Sequence, residues 1–151
     1  MKTLAQKHDA LEFGLAGQKW AAQKLIGMGY RVKEMGLGCP FDLLVNDVKR
    51  IEAKIARPNE RWEWFVNVHH GGKLNETNVD CYLFILTQIP GMKAMPLYLL
   101  FASPVERLTF KFSFASLLRK YHKAIDDWDV VGTPSRETTN YRIWKKNRLA
   151  Q

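Results

Sequence analysis

The spacing of apolar positions changes several times along the chain, and each change marks an element. Leu11, Leu15, Ala22, Leu25 and Ile26 recur at helical intervals, which predicts an amphipathic helix over residues 8–26 with those side chains inward. Gly27-Met28-Gly29 ends it, and Tyr30-Arg31-Val32 opens an extended segment. Phe41 to Val45 is a short apolar run, Asn46-Asp47 a polar turn, and Val48 to Ile55 a second extended run, so the two predict a β-hairpin. Trp62 to His69 alternates as a strand does, with Trp62, Trp64, Val66 and Val68 on one face, and His69-His70-Gly71-Gly72 closes it in a loop. Val79 to Thr87 is almost continuously apolar, as in a strand buried on both faces, and Pro96 to Phe101 is a further strand. Ser103-Pro104-Val105-Glu106 has the residues of a helix start, and Ser113 or Ser116 begins a later helix reaching Lys123. Asp126-Asp127-Trp128-Asp129 reads as a cap or turn. These elements predict one α/β domain spanning residues 1–151, with a central mixed sheet of four or five strands and helices on both sides.

The hairpin carries the candidate chemistry. Strand side chains alternate faces, so Glu52 and Lys54 point one way and Ala53 the other, with Asp42 on the preceding strand. Two carboxylates and an ammonium in one place suit metal-assisted phosphodiester cleavage, because carboxylate oxygens hold a hard cation and the lysine adds positive charge beside an attacking water. The same spacing also arises on ordinary solvated strands. The elements in front of it give the pattern its weight.

Helix, strand, Pro40-Phe41-Asp42 strand and Glu52-Ala53-Lys54 strand, in that order, resemble the PD-(D/E)xK nuclease superfamily, which includes restriction enzymes, Holliday-junction resolvases and some group I intron homing endonucleases. The resemblance covers residues 12–70 and extends more loosely over Asp80–Leu86 and Leu97–Glu106. It implies a restriction-endonuclease-like core in which Asp42 and Glu52 are metal ligands, the Ala53 carbonyl contributes to the metal site, and Lys54 is the catalytic lysine. Mg²⁺ is the implied cofactor, with Mn²⁺ able to substitute. Many members carry a glutamate on the first helix, and here Gln18 of Gly17-Gln18-Lys19-Trp20-Ala21-Ala22 stands in its place. An amide hydrogen-bonds or coordinates through oxygen but adds no negative charge. Glu12 and Glu34 are weaker substitutes for it.

Composition narrows the partners. The chain has 151 residues and a net charge of +8, which favours a polyanion such as double-stranded or branched DNA. Half of that excess lies in the basic segment 136–151, where Arg136, Arg142, Lys145, Lys146 and Arg148 face only Glu137, with Tyr141 and Trp144 interleaved. A C-terminal helix packing its aromatic side chains inward with solvated lysines explains the same residues. Arg57 and Arg61 follow the motif closely and are candidate phosphate clamps, and Lys73 lies in a candidate DNA-contacting loop. His69 and His70 sit on opposite strand faces and do not share a cation readily. Cys39 and Cys81 have no zinc spacing and read as reduced thiols of a cytoplasmic protein. No run has the length of a membrane span.

The resulting expectation is a metal-dependent DNA endonuclease, sequence-specific (homing or restriction type) or junction-resolving. A homodimer or higher homo-oligomer is the simplest way for so small a chain to cut both strands. The competing expectation is a DNA-binding module on the same fold that has lost catalysis, favoured by Gln18 and opposed by the intact Asp42, Glu52 and Lys54.

Overall fold

The computed structural model describes residues 3–70, 73–74, 78–91, 95–105 and 107–134. Thr3 caps the first helix, α1 (Leu4–Gly27), through a capping box with Gln6, which satisfies amides that the first turn leaves without partners. Five strands then form the main sheet in the order β1 (Val32–Glu34), β2 (Leu43–Val45), β3 (Lys49–Ala56), β7 (Cys81–Leu86), β8 (Leu97–Ala102). Between β3 and β7 lie β4 (Trp64–Asn67) and the short hairpin of β5 (His69–His70) and β6 (Lys73–Leu74). After β8 come β9 (Thr109–Phe112) and α2 (Phe114–Arg119). Only the β3–β7 pair is parallel, so the sheet is mixed, as the pattern predicted.

The hairpin forms where the alternation placed it. Asn46 and Asp47 take left-handed conformations at φ 52° and 63°, which their short polar side chains tolerate, and the Val48 amide donates to the Val45 carbonyl at 3.1 Å. Asn46 also binds the Arg31 backbone in both directions, fastening β1 to the turn.

Each face of the sheet has its own core. Leu43, Ile51, Leu83, Ile85 and Leu100 face α1 and bury Ala21, Ala22 and Leu25. Tyr82, Phe84, Leu86 and Leu99 face the other way, beneath the β4–β9 ribbon and α2, against Trp64, Phe110, Phe112, Leu117 and Tyr121. Helices therefore flank both faces, but the second layer is mostly β-ribbon.

Several sequence expectations need correction. In α1 the inward face is Gly17, Ala21, Ala22 and Leu25, while Leu11, Leu15 and Ile26 are exposed. Small side chains let the helix lie close to the sheet, so packing distance outweighs apolar periodicity. Trp62 does not share a strand with Trp64. It lies in the preceding turn at φ 58°, half exposed, with its ring 6.4 Å from that of Trp64. No helix starts at Ser103, because the segment descends to bury Val105 and enters β9, whose Phe110 and Phe112 alternate into the core. The later helix does begin at Ser113, whose hydroxyl accepts from the Ser116 amide, but it ends at Arg119. Asp126 and Asp127 form a turn before a short 3-10 helix, Trp128–Val130.

Candidate metal-binding active site

Asp42 enters β2 and is held by the strands on either side. Its amide donates to the Ile51 carbonyl at 3.0 Å, and its carbonyl accepts from Met35 at 2.8 Å. The side chain is fixed as well, since Oδ2 accepts from the Ala53 amide at 2.9 Å. Where β2 gives way to its entry loop, the carboxylate replaces the next carbonyl in the ladder and is aimed at β3. Backbone hydrogen bonding to an ionised carboxylate orients it strongly.

Glu52 and Lys54 project from β3 on the face opposite α1. In register they lie beside Tyr82 and Phe84, both fully buried. Glu52 is 4% exposed, and its Oε1 is 3.4 Å from Lys54 Nζ, whose side chain keeps an edge in solvent at 29% exposure. A carboxylate with so little water around it needs cationic company, which Lys54 supplies in part. Asp42, Glu52 and Lys54 thus lie on neighbouring positions at the entry to β2 and on β3, and the amide of Ala53, between Glu52 and Lys54, holds Asp42.

Gln18 approaches from the other side. Its Nε2 lies 3.4 Å from the Asp42 carbonyl and 3.5 Å from the Met35 carbonyl, long contacts that place the amide against the backbone behind Asp42. α1 comes this near because Gly17 packs directly on Ile55. Glu12 sits six residues earlier, about 9 Å up the helix, exposed and 3.6 Å from His8, so it does not stand in for Gln18. Glu34 pairs in register with Leu43, one residue from Asp42, and is exposed.

Arg57 follows the end of β3 with its guanidinium 3.8 Å above the Phe13 ring of α1. Five residues of extended chain set it about 16 Å from Glu52. Arg61 is exposed in a rigid turn, where Asn59 Oδ1 accepts from both the Arg61 and Glu63 amides. Neither arginine therefore joins the Asp42–Glu52–Lys54 cluster. Lys73 lies on β6, whose backbone is described and whose side chain is not, and the basic segment with Lys145 and Lys146 lies outside the described residues.

A second basic stretch escaped sequence inspection. Residues 107–123 contain Arg107, Lys111, Arg119, Lys120 and Lys123 with no Asp or Glu, and all five are exposed. Its acid-free composition is the one sequence signal for it, and interleaved core residues such as Phe110, Phe112 and Leu117 obscure that signal. Lys111 is engaged by Glu63 at 2.7 Å, which with Asn59 holds the Glu63 carboxyl below its usual range.

The donor set suits a hard cation. It offers two carboxylates on adjacent strands beside a main-chain segment, and no soft ligand adjoins it among the described contacts. Burial pushes the Cys81 thiol up to about 12, so it is inert, and Cys39 and Cys81 are both free. The described residues contain no helix long and apolar enough to cross a membrane.

No protein-family model and no curated protein matches the chain. Among solved structures it is similar to I-Ssp6803I, described as a bacterial homing endonuclease, over 91% of this chain and 94% of that one, with a TM-score of 0.60 and 11% sequence identity. At that identity the likeness bears on the fold alone, which in this chain is built on a mixed five-stranded sheet and matches that of a homing endonuclease over nearly the whole chain.

Proposed function

We propose that this protein is a divalent-metal-dependent DNA endonuclease whose active site is Asp42, Glu52 and Lys54. The observation that carries the reading is Glu52, a carboxylate 4% exposed on a strand, 3.4 Å from a lysine and next to an aspartate oriented by the Ala53 amide. A purely structural site gains little by burying such a group. The likeness to a homing endonuclease and the +8 charge support a DNA substrate.

Asp42 and Glu52 would hold Mg²⁺, with Mn²⁺ as a substitute and the Ala53 carbonyl as a third oxygen. The ion supplies charge stabilisation and a more acidic water. The chain's own residues do the rest. The Ala53 amide fixes the Asp42 carboxylate, the aromatic floor excludes bulk water beneath Glu52, and Lys54 brings an ammonium to orient the nucleophile and offset charge developing at the phosphorus. Gln18 buttresses the Asp42 backbone and adds no charge. Cleavage of both strands by so small a chain implies a homodimer or higher homo-oligomer, acting at a specific sequence or at a branched junction.

The test is cleavage of supercoiled plasmid, linear duplex and a synthetic four-way junction in Mg²⁺, Mn²⁺ or EDTA, beside Glu52→Gln. Metal-dependent cutting that the variant lacks supports the proposal. Tight DNA binding with no cutting in either metal replaces it with the non-catalytic DNA-binding module on the same fold.

A further inference from the structure

Two strands across the sheet from Glu52, on the same face, lies a cavity of about 290 Å³ that the proposed chemistry does not use. The register places Glu52 beside Tyr82 and Tyr82 beside Phe101, so the cavity wall at Phe101 stands about 10 Å from Glu52 at the usual strand spacing. The chain leaving β8 forms one rim, at the same end of the sheet as Glu52. Phe101, Phe110 and Tyr121 form the wall, with ring centroids 5.1 to 6.3 Å apart, and Val105 closes the floor. Arg107 and Lys120 stand at the mouth, and the Lys120 ammonium is 5.3 Å from the Tyr121 ring. Neither cation has a carboxylate partner among the described residues.

We propose that this cavity is a subsite for a single unpaired nucleotide of the DNA substrate. Its size is at the lower end for small-molecule pockets, enough for one base and its sugar. Aromatic walls accept the face of any base, and two cations at the mouth suit the adjoining phosphate. A greasy pocket meant for a protein side chain has no use for that pair of charges, nor for the acid-free stretch 107–123 in which both lie. The assignment rests on the nuclease reading for the identity of its ligand. A base turned out of the duplex near the cut would be captured here, which favours mismatched, nicked or branched DNA, where unstacking is cheapest.

The experiment titrates the full chain into 2-aminopurine deoxynucleoside 5′-monophosphate and follows fluorescence, without metal. Wild type should quench it saturably, as a stacked base is quenched. Arg107→Ala/Lys120→Ala should weaken binding tenfold or more. Lys111→Ala/Lys123→Ala, which removes the same charge away from the cavity, should bind within twofold of wild type. No quenching by wild type overturns the subsite, as does equal weakening by both double variants. Cutting without quenching removes the subsite and leaves the nuclease. Quenching without cutting in any metal does the reverse.

Discussion

Gly17 of α1 rests directly on Ile55 of β3: a Cβ on Gly17 would stand 2.7 Å from the Ile55 Cβ. That contact sets how near the helix comes to the sheet, and hence whether Gln18 reaches the backbone of Asp42. Gly17→Ala should push α1 outward, lower stability by about 1–3 kcal/mol despite alanine's better helix propensity, and reduce cleavage. Urea denaturation and a cleavage assay check both. An unchanged or raised denaturation midpoint would contradict the packing argument.

Metal and the acidic cluster are linked by mass action. Millimolar Mg²⁺ should raise the melting temperature of the wild type, by an amount corresponding to roughly 2–3 kcal/mol at a hundredfold excess over Kd. Asp42→Asn and Glu52→Gln should abolish most of that shift, and EDTA should reverse it in the wild type. Differential scanning calorimetry with and without the ion decides.

Lys54→Met keeps the apolar stem and removes the charge next to Glu52. Stability should fall by roughly 1–3 kcal/mol, towards the lower figure because Lys54 is partly exposed. Glu52→Gln in that background should recover part of the loss. The double-mutant cycle should therefore show a coupling between the two, and strict additivity would mean the 3.4 Å pair does not matter energetically.

Gln18→Glu turns a donor towards two carbonyl oxygens into a carboxylate. Without metal the variant should be less stable by about 1–2 kcal/mol, since both long contacts to Met35 and Asp42 become repulsive. With Mg²⁺ the deficit should shrink, because the new charge can face a cation. Denaturation curves in EDTA and in Mg²⁺ separate the two effects.

Asp80 stitches β3 to β7. Its carboxylate accepts from the Arg50 backbone amide and from the guanidinium at 2.9–3.0 Å, and Arg50 holds its pKa below the usual carboxylate value. A depressed folded-state pKa stabilises above the unfolded value, near 4, and that stabilisation is lost as pH falls through the folded value. Wild-type stability should therefore drop more steeply than that of Asp80→Asn as pH is lowered from about 5 to 2. Denaturant midpoints measured across that range test the sign.

Features set by neighbours along the chain are legible in the residues alone. The hairpin follows from Phe41–Val45, the Asn46-Asp47 turn and Val48–Ile55, because period-two patterning and left-handed tolerance are local properties. β7 follows from an unbroken apolar run, and the common face of Glu52 and Lys54 from strand alternation. Tertiary packing selects which face of α1 turns inward, since the close approach at Gly17 depends on Ile55, thirty-eight residues away. It likewise decided that Ala53 would orient Asp42, that Val105 would descend into the core and not start a helix, and that Phe101, Phe110 and Tyr121 would meet around a cavity with Arg107 and Lys120 at its mouth. Each of these is a contact between distant segments, fixed by how two packed surfaces share space, and no local spacing encodes that.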